Sequence, residues 1–456
     1  MPDPAAGTGE LNLRQEFPPV STETWEKTII ADLKGADYEK KLVWKTPEGI
    51  AVKPYYRKED VPAEPYRHCV CGSWEISEAP ALADAVNGAA FHEAGATPVQ
   101  ELGYALSAAV DRLAAGAAPA SISFCFAAGS NYFFEIAKLR AARQVWAQAL
   151  AAFGHDPERI ETRIHVVTSL SNKSIYDPYT NLLRCTTEAL SAVIGGANIV
   201  TVQPAAYPDR LARNVQLVLK EESHLDKVAD PAGGSYYIEA LTDAIAREAW
   251  KLFQQVEAEG GFAKAQASIE KAVAASRAAS EKAIASRRRT MVGVNNYPDI
   301  REKELESANA LAAAEWRLAQ PIESIRLRTE RHARKTGRTP KILLLKRGDL
   351  KMKMARAQFC QNFFGCGGFA LEESESYAGT DAVLIVLCSS DPEYVDLAKE
   401  VCAKVKAPVL VAGNPKEQID ALKEAGVAGF VHVLSNMVDT LTEWQDKLGI
   451  GAKEGK

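Results

Sequence analysis

Ser121-Ile-Ser-Phe-Cys-Phe126 runs through Ala127-Ala-Gly-Ser130 into Asn131-Tyr-Phe-Phe-Glu-Ile-Ala-Lys-Leu-Arg-Ala-Ala142, an apolar strand signal handing over to a helix signal. The same phrase recurs downstream. Arg163-Ile-His-Val-Val-Thr168 leads to Asp177-Pro-Tyr-Thr-Asn-Leu-Leu-Arg184, and Asn198-Ile-Val-Thr-Val202 leads to Asp209-Arg-Leu-Ala-Arg-Asn-Val-Gln216. Asp230-Pro-Ala-Gly-Gly-Ser-Tyr-Tyr-Ile-Glu239 then opens another helix. Upstream, Val86–His92 is predicted as a further strand. Strands alternating with amphipathic helices predict a parallel α/β sheet. On the helix from Asp209, Leu211, Val215 and Val218 are expected to face that sheet.

Towards the C-terminus, Lys341–Leu345, Phe369–Glu372, Ala382–Cys388, Pro408–Ala412 and Gly429–Val433 read as five more strands with helices between. That alternation predicts a flavodoxin-like doubly wound domain. Between the two units, residues 262–338 read as helical, broken at Gly293-Val-Asn-Asn-Tyr-Pro298, with Arg326–Arg338 as a solvated basic linker. At the other end, Ser21–Leu33 reads as a helix, and Leu42–Thr46 and Ile50–Val52 as short strands.

Composition bounds the function. The 456 residues carry 25% charged and 47% hydrophobic residues, ordinary for a globular protein, and a net charge of −5 argues against a nucleic-acid binder. Residues 1–10 lack a basic, apolar leader, and the apolar run Ala382–Cys388 is far too short to span a bilayer, so no membrane association is expected. Eight cysteines, several within apolar runs, predict reduced thiols and a cytoplasmic location.

The phrases at Asn131–Arg143, Asp177–Arg184 and Asp230–Glu239 closely resemble the methylmalonyl-CoA mutase family. The resemblance extends over most of residues 22–60 and 86–450. It implies a (β/α) TIM-type barrel, here partial, followed by the flavodoxin-like domain. About four convincing strands stand where a closed barrel needs eight; the resemblance matches them to the barrel's second half and reduces the first half to a stub near Ser73-Trp-Glu-Ile76. The implied organisation is an N-terminal arm and subunit-contact extension (1–65), a truncated barrel (66–261), a helical linker (262–339) and a relic of a cobalamin-binding domain (340–450). The resemblance has the N-terminal extension reaching to a partner subunit; packing on its own barrel is the alternative. A half-barrel also raises a physical problem, because its outer strands and its interior would be open unless something covers them.

Set against the family's motifs, the chemistry is depleted. The family's Gly-Tyr-His-Met-Gln-Glu-Ala-Gly-Ala, whose His hydrogen-bonds the substrate thioester, reads Gly88-Ala-Ala-Phe-His-Glu-Ala-Gly-Ala96, which puts Ala90 at the His position and His92 at the Gln position. An acyl-CoA-contacting Arg becomes Ser121, Ser123 is kept, and a His-x-Gln becomes His165-Val-Val167, with His165 expected at a strand's carboxyl end. The cobalt-ligating Asp-x-His-x-x-Gly is replaced by Arg347-Gly-Asp-Leu-Lys-Met352, where Asp349 has no imidazole to orient. His165, Ser123 and His92 are therefore expected as vestigial substrate-binding positions, with no catalytic, cofactor-binding or metal-binding residue. His68-Cys-Val-Cys71 offers three metal-ligand types but lacks both the usual spacing and a fourth ligand. The resemblance implies the small, non-catalytic subunit of a heterodimeric mutase, with adenosylcobalamin held by a large catalytic partner. Two alternatives stay open: a stand-alone acyl-CoA enzyme, and a half-barrel that self-associates into a homo-oligomer.

Overall fold

The computed structural model describes residues 18–62, 72–80, 84–305, 311 and 314–451. The His68–Cys71 motif lies outside the described residues. The protein is α/β, built on two five-stranded parallel sheets. A hairpin of β1 (Trp44–Lys45) and β2 (Ala51–Val52) precedes them.

The first sheet contains β3 (Glu75–Ser77), β4 (Val86–Asn87), β5 (Phe124–Ala128), β6 (Ile164–Thr168) and β7 (Ile199–Thr201). Its order is β3-β7-β6-β5-β4. The predicted stub is thus a full member of the sheet, paired with β7 through Glu75↔Ile199, Ile76↔Val200 and Ser77↔Thr201. The predicted strand Val86–His92 is corrected: only Val86–Asn87 is extended, and Ala89–Glu93 is helical. Two contacts cause the turn. A Cβ on Gly88 would come within 2.9 Å of the Phe126 ring, and Asn87 Oδ1 accepts from Ala90 N at 3.2 Å.

Alternation along these strands separates two faces. Phe124, Phe126, Ile164, Val166 and Val200 join the main core beneath the helices Pro98–Ala114, Tyr132–Ala152 and Pro178–Ile194. The opposite face carries Cys125, Ala127 and Val167, which pack with Ala85 and Ala89. A parallel sheet needs cover on both faces, and here the chain entering β4 supplies the second cover. Ser77 and Val86 end at opposite edges of the sheet, four spacings of about 4.8 Å, or roughly 19 Å, apart. Nine residue steps reach about 30 Å when extended, enough to join the two edges. Its described ends meet the face away from the helices: Ala79 O accepts from Thr201 Oγ1 at 2.7 Å, and Ala85 packs with Cys125, Ala127 and Val167. The expectation of an open interior is therefore corrected. The expected edge problem is also small, since the edge strands β3 and β4 are only 3 and 2 residues long.

On the helix from Asp209, Val215 is buried but Val218 is 44% exposed. A π-turn over Val218–Glu222 shifts the register and buries Leu219 in its place. The hairpin packs on its own domain: Ile50 and Val52 join the main core, and the Trp44 ring lies 5.6 Å from that of Phe134. The helix Thr22–Asp32 buries no residue.

The second sheet contains β8 (Lys341–Lys346), β9 (Ala370–Ser374), β10 (Leu384–Cys388), β11 (Val409–Ala412) and β12 (Gly429–Val431). Numbered within the sheet, its order is 2-1-3-4-5. Helices cover both faces: Leu350–Gly365 and Met437–Lys447 on one side, Tyr394–Cys402 and Ile419–Glu424 on the other.

The basic segment between the sheets is not a solvated linker throughout. Arg326 is buried, its guanidinium 4.0 Å above the Tyr176 ring, and it donates to Asp299 O at 2.8 Å and Glu302 O at 2.6 Å. A cationic group beside a ring face and two carbonyls has replaced its water shell. No helix among the described residues is long and apolar enough to cross a membrane.

Candidate functional site

The carboxyl ends of parallel strands are where such sheets place chemistry. The three residues singled out from sequence do not meet there. Ser123 precedes β5 at its amino end, and its carbonyl accepts from Val86 N at 2.8 Å. His165 is corrected as well: it is the second residue of β6, not its carboxyl end, and it is fully buried. His92 sits on the helix Ala89–Glu93. Among the described residues no hydrogen bond joins any two of the three.

The environment of His165 fixes its state. Thr201 Oγ1 lies 2.9 Å from His165 Nε2 and 2.7 Å from Ala79 O. The carbonyl can only accept, so the single hydroxyl proton goes to it and Nε2–H donates to Thr201. Nδ1 is then a buried acceptor without a hydrogen-bond partner among the described residues. Burial holds the imidazole below its ordinary pKa, with the Arg163 charge adding and Glu75 opposing, so the ring is neutral. A neutral, enclosed imidazole has no route to a substrate. His165→Leu is expected to change unfolding free energy by no more than about 1 kcal/mol, because Thr201 keeps Ala79 O as its acceptor. Urea denaturation checks this.

His92 belongs to a buried charge cluster that sequence reasoning missed. Glu101 Oε1 accepts from Ala127 N at 2.7 Å, and Glu101 Oε2 meets Lys138 Nζ at 2.6 Å and His92 Nδ1 at 3.4 Å. Lys138 Nζ also meets Glu135 Oε2 and Ala127 O, each at 2.6 Å. The His92 ring lies against Gly129, where a Cβ would come within 2.8 Å of it. Burial alone would lower the His92 pKa, but the Glu101 carboxylate outweighs it and the net shift is upward. Likewise burial would raise Glu101, yet Lys138 and His92 hold it below the ordinary value.

The sign of the pH dependence follows. A histidine with a raised folded pKa contributes stability that is complete below its unfolded value and is lost as pH climbs through the folded one. Unfolding free energy is therefore expected to decline above the ordinary imidazole value of 6.5. His92→Gln should remove that component, as chemical denaturation at a series of pH values would show.

A second cluster lies beyond β6. Lys173 Nζ meets Glu188 Oε1 at 2.7 Å and Ser169 O at 2.6 Å, all within the core. Over the same loop, Arg317 Nη1 reaches Glu323 Oε2 at 2.8 Å and Lys173 O at 3.1 Å, and Leu318 N donates to Ser171 O at 2.8 Å. The segment before the helix Gln320–Thr336 is thus bonded across the mouth of the first sheet.

In the second sheet Asp349 accepts from Met352 N at 2.8 Å and caps the helix Leu350–Gly365. At the end of β12, His432 Nδ1 accepts from Leu434 N at 3.2 Å.

Comparison with known proteins agrees with this architecture. The sequence model of the family described as methylmalonyl-CoA mutase matches residues 71–342. A methylmalonyl-CoA mutase small subunit from Porphyromonas gingivalis is 34% identical, covering 96% of this chain and 99% of the relative. That alignment spans 615 positions against 456 residues here, so well over a hundred positions of the relative have no counterpart. A probable small subunit from Mycobacterium tuberculosis is 35% identical over 86% of this chain and 69% of its own length. A methylmalonyl-CoA mutase from Escherichia coli is 35% identical over only 48% of this chain and 34% of its own length. With a family match over more than half its length and a relative aligned nearly end to end, the chain belongs to the methylmalonyl-CoA mutase family.

Proposed function

We propose that this chain is the small subunit of a two-subunit methylmalonyl-CoA mutase, lending shape and contact area, not catalytic groups, to a large-subunit partner. In this reading the first sheet is a barrel that has lost three strand–helix units between β3 and β4, and the second is a flavodoxin-like domain. The strand orders support both. A closed eight-stranded barrel brings its first strand beside its last, as β3 lies beside β7, and 2-1-3-4-5 is the flavodoxin-like order.

The observation that carries the proposal is the sealed concave face. Cys125, Ala127, His165, Val167 and Thr201 are all at most 4% exposed, with Ala79, Ala85 and Ala89 against this face, which leaves them no room for an acyl-CoA chain. Ser123, His165 and His92 are then remnants of a substrate site. The residues present do not fit a His-ligated corrin either. The loop after β8 offers Arg347, Gly348 and Asp349, and Asp349 is committed to its helix cap. The adenosylcobalamin, and the interconversion of (R)-methylmalonyl-CoA and succinyl-CoA, are accordingly assigned to the partner, in the cytoplasm. Co-expression with a mutase large subunit followed by native mass determination tests the pairing. A complex with both chains is expected; a chain that stays alone, or pairs only with itself, contradicts it.

A further inference from the structure

The helix Pro178–Ile194 turns Asn181, Cys185, Glu188 and Ala189 inward, and its exposed residues are Tyr179, Leu183 and Thr187, one ridge at four-residue spacing. None of the three is charged. Of the two charges on this helix, Glu188 is buried against Lys173, and Arg184 donates to Asn181 Oδ1 at 2.9 Å and Val292 O at 2.6 Å. A helix facing water ordinarily presents charged residues to it, as Tyr236–Ala258 does with Arg247, Lys251 and Glu257.

The Arg184 bond ties this ridge to the turn Met291–Tyr297. Asn295 pins that turn: it accepts from Met291 N at 2.7 Å and donates to Ile284 O at 2.9 Å and Arg289 O at 2.8 Å. Tyr297 is held at a φ of 54°, a left-handed conformation that bulky residues rarely adopt, with its amide on Asn362 Oδ1 at 2.7 Å. Tyr179 and Leu183 are 76% and 67% exposed, and Val292 and Tyr297 50% and 66%.

We propose that this charge-free ridge and the pinned turn beside it form the surface that docks the mutase large subunit, whose matching face is an apolar groove. The inference rests on the two-subunit reading and adds the place of contact. With about 200 Å² for a tyrosine and somewhat less for leucine and valine, the four residues expose on the order of 450 Å². That is roughly half of the ~800 Å² that one partner gives to a standard interface, the share expected of its apolar centre. A small ligand would need a concavity, and this face is a ridge. A tyrosine already fixed by its backbone loses little freedom on binding, which suits it to anchor an interface.

The full chain, Leu183→Glu, Tyr179→Glu and a control at the exposed Leu434 (Leu434→Glu) are each titrated with a mutase large subunit, and each is melted alone. All four are expected to melt alike, because the altered side chains stand in solvent. Leu183→Glu and Tyr179→Glu should each raise the dissociation constant about 30-fold or more, the effect of losing an interface anchor, while the control binds as the parent does. A folded Leu183→Glu and Tyr179→Glu that bind as tightly as the parent would overturn this surface and leave the subunit reading standing. A parent that does not bind the large subunit would overturn both. A parent that pairs with itself, and is made monomeric by Leu183→Glu, would give the face to a second copy and overturn the proposed occupant. Should Leu183→Glu not fold, Tyr179→Glu decides alone.

Discussion

Lys138→Met is expected to lower the stability of the first-sheet unit by about 3–5 kcal/mol, the usual effect of removing one partner from a buried ion cluster. The methionine keeps the volume, so packing is not what is lost. Lys138, Glu101 and Glu135 are each at most 2% exposed, and the ammonium meets both carboxylates. Without it, Glu135 loses its ammonium partner and Glu101 is left with the longer His92 contact at 3.4 Å, so negative charge stays under-compensated in the core or is lost by protonation. Adding Glu101→Gln and Glu135→Gln to Lys138→Met should recover much of the loss, because amides carry no charge to desolvate. Urea unfolding followed through the buried Trp146 reads the difference. A Lys138→Met protein as stable as the parent would mean that the cluster is hydrated.

Glu323→Ala is expected to cost a similar amount, about 3–5 kcal/mol, at the junction of the two sheets. One carboxylate oxygen accepts from Ile175 N at 2.8 Å, and the other pairs with Arg317 at 2.8 Å. Truncation leaves a buried guanidinium and an unpaired amide together. The helix bearing Glu323 also buries Ile322 and Ile325 in the core of the second sheet, so the loss should loosen the two sheets from each other. Limited proteolysis should cut faster between them in Glu323→Ala than in the parent, and Glu323→Gln, which can still accept from Ile175, should lie between. Unchanged cleavage would show that the junction is held elsewhere.

Strands on regular apolar runs were legible from sequence. All five strands of the second sheet and β5, β6 and β7 fall where alternation with helices puts them. Val86–His92 misled because its apolar pattern is also that of a short helix. The deciding fact, the Phe126 ring against Gly88, is a contact 38 residues away in sequence. The resemblance supplied His165 as a candidate, but only the register shows it beneath Ala79 and out of reach of any ligand. Lys138 and Glu135 stand three apart on a helix, the spacing of an ordinary surface pair. Their burial is set by Glu101 on a neighbouring helix, which no local pattern announces. The covered interior could not be read either, since a missing stretch of barrel says nothing of how the ends are rejoined.

The most direct test of the central claim is turnover. The purified chain, given methylmalonyl-CoA and adenosylcobalamin, is expected to form no succinyl-CoA, and the same preparation mixed with a mutase large subunit is expected to form it. Succinyl-CoA from the chain by itself would contradict an enclosed, ligand-free first sheet.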